Sequence, residues 1–87
     1  MKIKEGFILR NVAGSYVVVP IGEATLDFNG MMSLNETGAF LFGKLIEGTD
    51  KEQLIEDLMS EYAVDKELAA KDVEDFIQKV EREDLFE

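Results

Sequence analysis

The side chains able to do chemistry in this 87-residue chain are hydroxyls and carboxylates, because cysteine and histidine are both absent. That absence removes thiol nucleophiles, disulfides, imidazole acid–base catalysis and Cys/His metal sites together. The hydroxyls are Ser15, Ser33, Ser60, Thr25, Thr37, Thr49, Tyr16 and Tyr62. No serine lies in a G-x-S-x-G elbow, and only a carboxylate could act as its base. Asp72 and Asp75, like Lys71 and Glu74, have the spacing of neighbours on a helix surface, and solvated helix charges account for them. No D-x-D-x-D-G loop offers oxygen ligands to calcium. Gly14 and Asn29-Gly30 are isolated turn signals rather than a G-x-G-x-x-G phosphate loop. The chain is therefore expected to be no enzyme and to carry no metal or cofactor. What remains is recognition through backbone groups and apolar surface.

The elements that would position such a surface change period near residue 35. Phe7–Val12 is a β-rich run, and Tyr16–Val19 is almost purely β-branched, stopped by Pro20, which lacks an amide donor. Ala13-Gly14-Ser15 between them predicts a hairpin turn, with Gly14 supplying positive φ. The chain then crosses over through residues 24–28, turns at Asn29-Gly30, and Met31–Leu34 predicts a short third strand. Asn35 is a candidate N-cap for a helix running to about Glu47, closed by Gly48 as a left-handed cap. Gly38 and Gly43 inside that helix each cost ~1 kcal/mol of propensity, which points to close backbone approach at those positions. Thr49-Asp50-Lys51-Glu52 predicts a capping box, with Thr49 as the cap of a second helix. That helix carries Leu54, Ile55, Leu58, Met59 and Tyr62 on one face. Asp65 predicts the cap of a third helix, whose apolar stripe is Leu68, Ala69, Val73, Phe76, Ile77 and Val80. Leu85 and Phe86 are expected to fold back onto the body. Three N-terminal antiparallel strands followed by three helices, with a four-residue gap between the last two, predict an α+β winged helix-turn-helix as one domain over residues 1–87.

Charge narrows the partners. The net charge is −10, and residues 1–46 balance Lys2, Lys4, Arg10 and Lys44 against Glu5, Glu23, Asp27 and Glu36, so residues 47–87 carry the whole excess. An acidic surface loses the counterion release that drives nucleic-acid binding, and it is repelled by anionic membranes. A winged-helix DNA-binding regulator would need a basic recognition helix. Here the third helix sets Lys66, Lys71, Lys79 and Arg82 against Asp65, Glu67, Asp72, Glu74, Asp75, Glu81 and Glu83. The start of the chain lacks a signal-peptide h-region, and no apolar run approaches the ~20 residues of a membrane span, so a cytoplasmic protein is expected.

The third strand would leave an open edge, a template for another chain. Phe28, Met31, Met32 and Leu34 place large apolar groups around it, and methionine adapts its shape to varied ligands. With the third helix beside that strand, an apolar groove would lie between them, ready for an extended peptide as an added strand. The pattern equally allows these residues to be core.

The order Arg10-x3-Gly14-x-Tyr16-Val17-Val18-Val19-Pro20, then Asn29-Gly30-Met31-Met32-x-Leu34-Asn35-Glu36-Thr37-Gly38-Ala39-Phe40-Leu41-Phe42, closely resembles the coenzyme PQQ synthesis protein D (PqqD-like) family. Gly48-Thr49, Glu52-x-Leu54, Tyr62-x-Val64 and Asp72-Val73-x3-Phe76 followed by Leu85 extend the resemblance over nearly the whole chain. The resemblance implies a winged helix-turn-helix precursor-peptide recognition element. Such a module is a non-catalytic peptide chaperone: it binds the leader segment of a ribosomally synthesised precursor by strand addition and presents it to a modifying enzyme, often a radical SAM enzyme. Members of the PQQ pathway tend to carry an alanine-proline-glutamate stretch after the second strand. Val19-Pro20-Ile21-Gly22 departs from it and is more similar to the broad stand-alone group of other peptide pathways. On this footing the leader groove is expected at Asp27, Phe28, Met31, Met32, Ser33 and Leu34, facing Val73, Phe76, Ile77 and Val80. Acidic neighbours such as Asp27, Asp72 and Asp75 are expected to meet basic leader residues. A homodimer through the same open edge is a further expectation. A purely structural subunit of a modifying-enzyme complex is the other alternative to weigh against these.

Overall fold

The β-branched run becomes the centre of a three-stranded antiparallel sheet, order β1-β2-β3, formed by β1 (Phe7–Val12), β2 (Ser15–Pro20) and β3 (Met32–Leu34). The computed structural model describes residues 1–26 and 31–87. A 3₁₀ turn, Gly22–Leu26, follows β2, and three helices follow β3: α1 (Glu36–Glu47), α2 (Lys51–Tyr62) and α3 (Lys66–Arg82). This is the α+β winged helix-turn-helix order expected from the sequence, with three residues rather than four between α2 and α3. The Asn29-Gly30 turn signal lies outside the described residues.

The β1–β2 hairpin turns on two residues, Ala13 (φ 53°) and Gly14 (φ 85°), between the paired Val12 and Ser15. Positive φ at both central positions matches the right-handed twist of the flanking strands. The Gly14 amide donates to Asn11 Oδ1 at 3.1 Å. Pro20 is the last residue of β2, opposite Phe7, at a pair where its missing amide costs the β1 ladder nothing, and the Ile21 amide donates to the Gly6 carbonyl at 2.7 Å just beyond it. Tyr16 and Val18 pair with Leu34 and Met32, so these side chains share the face that packs on the helices.

The core gathers from β2, β3, the three helices and both chain ends, with Phe7 and Leu9 of β1 partly buried against it. Val18, Leu41, Phe42, Leu45, Leu54, Leu58, Val73, Val80 and Leu85 have essentially no exposed surface. Asn35 caps α1, accepting from the Gly38 amide at 2.7 Å, and Asp65 caps α3, accepting from the Leu68 amide at 2.8 Å. Two expectations are corrected. The cap of α2 is Asp50, which accepts from the Gln53 amide at 2.8 Å, not Thr49. Thr49 is held elsewhere: its amide donates to the Met1 carbonyl at 2.9 Å, and its carbonyl accepts from the Met1 ammonium at 2.8 Å. Asp50→Ala is therefore expected to cost ~0.5–2 kcal/mol and Thr49→Ala less than half of that, read from denaturant midpoints. Leu68, placed on the apolar stripe of α3, is exposed instead, because it lies one residue (about 100°) off the Ala69–Val73–Phe76–Val80 line.

The chain ends meet. The Lys4 amide donates to the Leu85 carbonyl at 2.8 Å, the Glu87 amide donates to the Lys2 carbonyl at 2.9 Å, and Ile3 bridges Phe86 in antiparallel sense. This clasp buries Ile3 and Leu85 in the core and packs Phe86, partly buried, against it, so Leu85 and Phe86 fold back onto the body as expected.

Candidate peptide-binding groove

The register of the sheet decides which backbone groups of β3 face outward. A two-residue hairpin loop closes on a hydrogen-bonded pair, here Val12 and Ser15, and bonded and non-bonded pairs then alternate along the ladder. Val17 therefore turns its amide and carbonyl toward β1, while Tyr16 and Val18 turn theirs toward β3. Leu34 and Met32 take up those bonds. Ser33, opposite Val17, points its own amide and carbonyl away from the sheet, across the open edge. Its side chain is exposed as well, whereas Met32 (6%) and Leu34 (8%) on either side are buried. An independent contact agrees: the Lys79 ammonium on α3 donates to the Ser33 carbonyl at 3.3 Å, from the side opposite β2.

A cleft of about 290 Å³ opens between the end of β3, the first turns of α1 and the outer face of α3. Leu34, Leu41 and Phe76 form its apolar floor, and Thr37, Asp72, Asp75 and Lys79 stand at its rim. Gly38 makes the approach of α1 to this floor possible. A Cβ there would stand 3.4 Å from the Phe76 ring, 3.4 Å from Leu34 Cβ and 3.2 Å from the capping oxygen of Asn35. The close approach inferred from the sequence is met at Gly38 and not at Gly43, where an added Cβ would touch nothing within 4 Å.

The rim charges are unequal. Asp75 is paired to Lys71 one turn back at 2.8 Å, and that hydrogen bond raises the Lys71 ammonium above its usual range. Glu74, on the side of α3 that faces α2, accepts from Lys51 of α2 and from Gln78, and the Lys51 bond holds its carboxyl below the usual range. Asp72 makes no salt bridge among the described residues and is the rim acid free to meet a cation.

The expected groove residues are thus divided among three places. Met31 stands 69% exposed just before β3. Ser33 offers the edge itself, while Met32, Leu34, Phe76 and Ile77 lie just beneath the surface. Val73 and Val80 have no exposed surface and act as core behind the floor. Asp27 and Phe28 lie outside the described residues. Thr37, Leu41 and Lys79 line the cleft without having been singled out in the sequence, although a helical glycine at 38 and the spacing of 34, 38 and 41 were the available signal. Among the described residues no group of three acids converges as a metal site, and no helix is long and apolar enough to cross a membrane.

The fold is shared with two solved structures. One is TbiB1 in complex with the TbiA(beta) leader peptide, with a TM-score of 0.76 and 22% identity, covering 100% of this chain and 95% of that one. The other is lasso peptide synthetase B1 complexed with the leader peptide, with a TM-score of 0.69 and 17% identity, covering 93% of this chain and 89% of that one. No curated protein matches the chain. The family profile of coenzyme PQQ synthesis protein D (PqqD) matches residues 15–85, from the start of β2 to the buried Leu85, and so takes in β3, the cleft and all three helices. The chain belongs to the PqqD family.

Proposed function

We propose that this chain is a non-catalytic carrier for the leader segment of a ribosomally made precursor peptide. It takes the leader up as a fourth strand along β3 and presents it to a modifying enzyme of the radical SAM class, in the cytoplasm. The observation that carries the reading is the outward amide and carbonyl of Ser33 on a three-residue edge strand, beside a cleft floored by Leu34, Leu41 and Phe76. Strand addition needs both parts: backbone groups for affinity, and an apolar recess for side chains. Membership of the PqqD family, and the leader peptides bound to both structural neighbours, support the same class of ligand.

In this reading Met31 and Ser33, with Asp27 and Phe28, meet the leader directly. Met32, Leu34, Phe76 and Ile77 shape the floor, and Val73 and Val80 hold it rigid from behind. Asp72 takes a lysine or arginine of the leader. A DNA-binding role is opposed by α3 itself, whose apolar residues face the core while its charged groups carry no basic excess. A purely structural subunit would bind the enzyme without binding the peptide.

Calorimetric titration decides between these readings, using synthetic leaders of precursor peptides encoded beside a radical SAM gene and this chain. A low-micromolar or tighter complex, with amide NMR shifts concentrated on β3 and α3, is expected. Leaders that give no heat and no shifts, while the modifying enzyme still binds the chain, would leave the structural subunit in place of this proposal.

A further inference from the structure

Lys79 stands where an added strand would have to go. Its ammonium occupies the outward carbonyl of Ser33, and its stem lies in the cleft beside Phe76. A strand laid along β3 brings its own amide to that carbonyl and competes with the lysine for it and for the space beside the edge. Resting on the reading of β3 as the strand-addition edge, we propose that Lys79 decides which strands this edge admits, favouring a foreign peptide over a second copy of the chain.

The reason lies in symmetry. Two copies pairing β3 to β3 would do so about a two-fold axis near Ser33, the same patch meeting itself. Both Lys79 ammoniums would then lose their carbonyls at once and be brought together over one edge of three residues. Each copy also carries a net charge of −10. A foreign strand displaces one lysine only and brings no second one. The displaced ammonium has an acid one turn on, Glu83 at the cap of its own helix. The cost of opening the edge is therefore paid twice in self-pairing and once in peptide uptake. A lysine over an open edge is a common device against edge-to-edge association. Here it is aimed at the one residue of β3 whose backbone groups face away from the sheet.

The test uses the intact chain. Lys79→Met keeps the length of the stem and removes the charge and the donor. Sedimentation across a wide concentration range is expected to show the variant associating roughly five-fold or more tightly than the parent, from two lost carbonyl contacts per dimer. Lys79→Arg, which keeps charge and donor, is expected to sediment like the parent. Adding Ser33→Pro to Lys79→Met is expected to abolish the gain, since it removes the edge amide that the second copy would use. In solution NMR, Lys79→Met is expected to shift the Leu34 amide, which shares a peptide unit with the Ser33 carbonyl. The proposal is overturned if Lys79→Met sediments like the parent, if Lys79→Arg associates as Lys79→Met does, if association survives Ser33→Pro, or if the Leu34 amide does not move. A leader that binds neither parent nor variant would remove the proposed function and leave these outcomes standing.

Discussion

Ser33→Pro is expected to weaken leader binding at least about ten-fold while leaving the melting temperature essentially unchanged. Proline removes the amide that would donate to the leader backbone, and its ring occupies the space beside the edge. The two neighbours that bond β2, Met32 and Leu34, keep their amides, so the sheet should survive. Proline is tolerated at an edge position whose amide points to solvent, and an extended residue before it suits Met32. Titration of parent and variant with the same leader, alongside thermal melts, gives the result. A folded variant that binds like the parent would move the peptide site off this edge. A variant that fails to fold would mean that the Ser33 amide is used within the sheet, against the alternation derived from the hairpin.

Phe76→Ala is expected to cost ~3–5 kcal/mol of stability, because the ring is 8% exposed and belongs to the core cluster as well as to the cleft floor. A domain of this size has roughly 5–13 kcal/mol in total, so the melting temperature should fall by about 15 °C or more. The lost contacts include those with the first turn of α1, where Gly38 leaves room for the ring. Phe76→Leu should recover more than half of the loss, since it refills most of the volume. Denaturant unfolding of the three proteins separates these cases. A Phe76→Ala protein that melts within a few degrees of the parent but no longer binds leader would assign the ring to the groove alone.

Much of this fold was legible because its signals are local. The Ala13-Gly14 turn, the caps at Asn35 and Asp65 and the apolar face of α2 each depend on residues within one or two turns of each other. The misplaced cap of α2 was not local: Thr49 is taken by Met1, from the far end of the chain, and Asp50 is left to do the capping. At the candidate site, the apolar pattern allowed a groove around β3 and α3 and the family resemblance implied one, but neither could divide floor from core. That division follows from the pleat, which buries Met32 and Leu34 and turns Ser33 outward, and from the hairpin register, which frees the Ser33 backbone. Lys79 escaped notice because a lysine among helix acids has no sequence signature of an edge contact.

The antiparallel clasp between residues 2–4 and 85–87 brings entrance and exit of the domain to about one strand spacing, ~5 Å. A domain with such neighbouring ends can be spliced into a surface loop of another protein without prying that loop apart, and its ends can be joined and the chain reopened elsewhere. The exposed Ala13-Gly14 turn is the natural place for the new opening. A domain of this shape can therefore be moved between host proteins as a cassette, its β3 edge intact, with only a few linking residues at the splice.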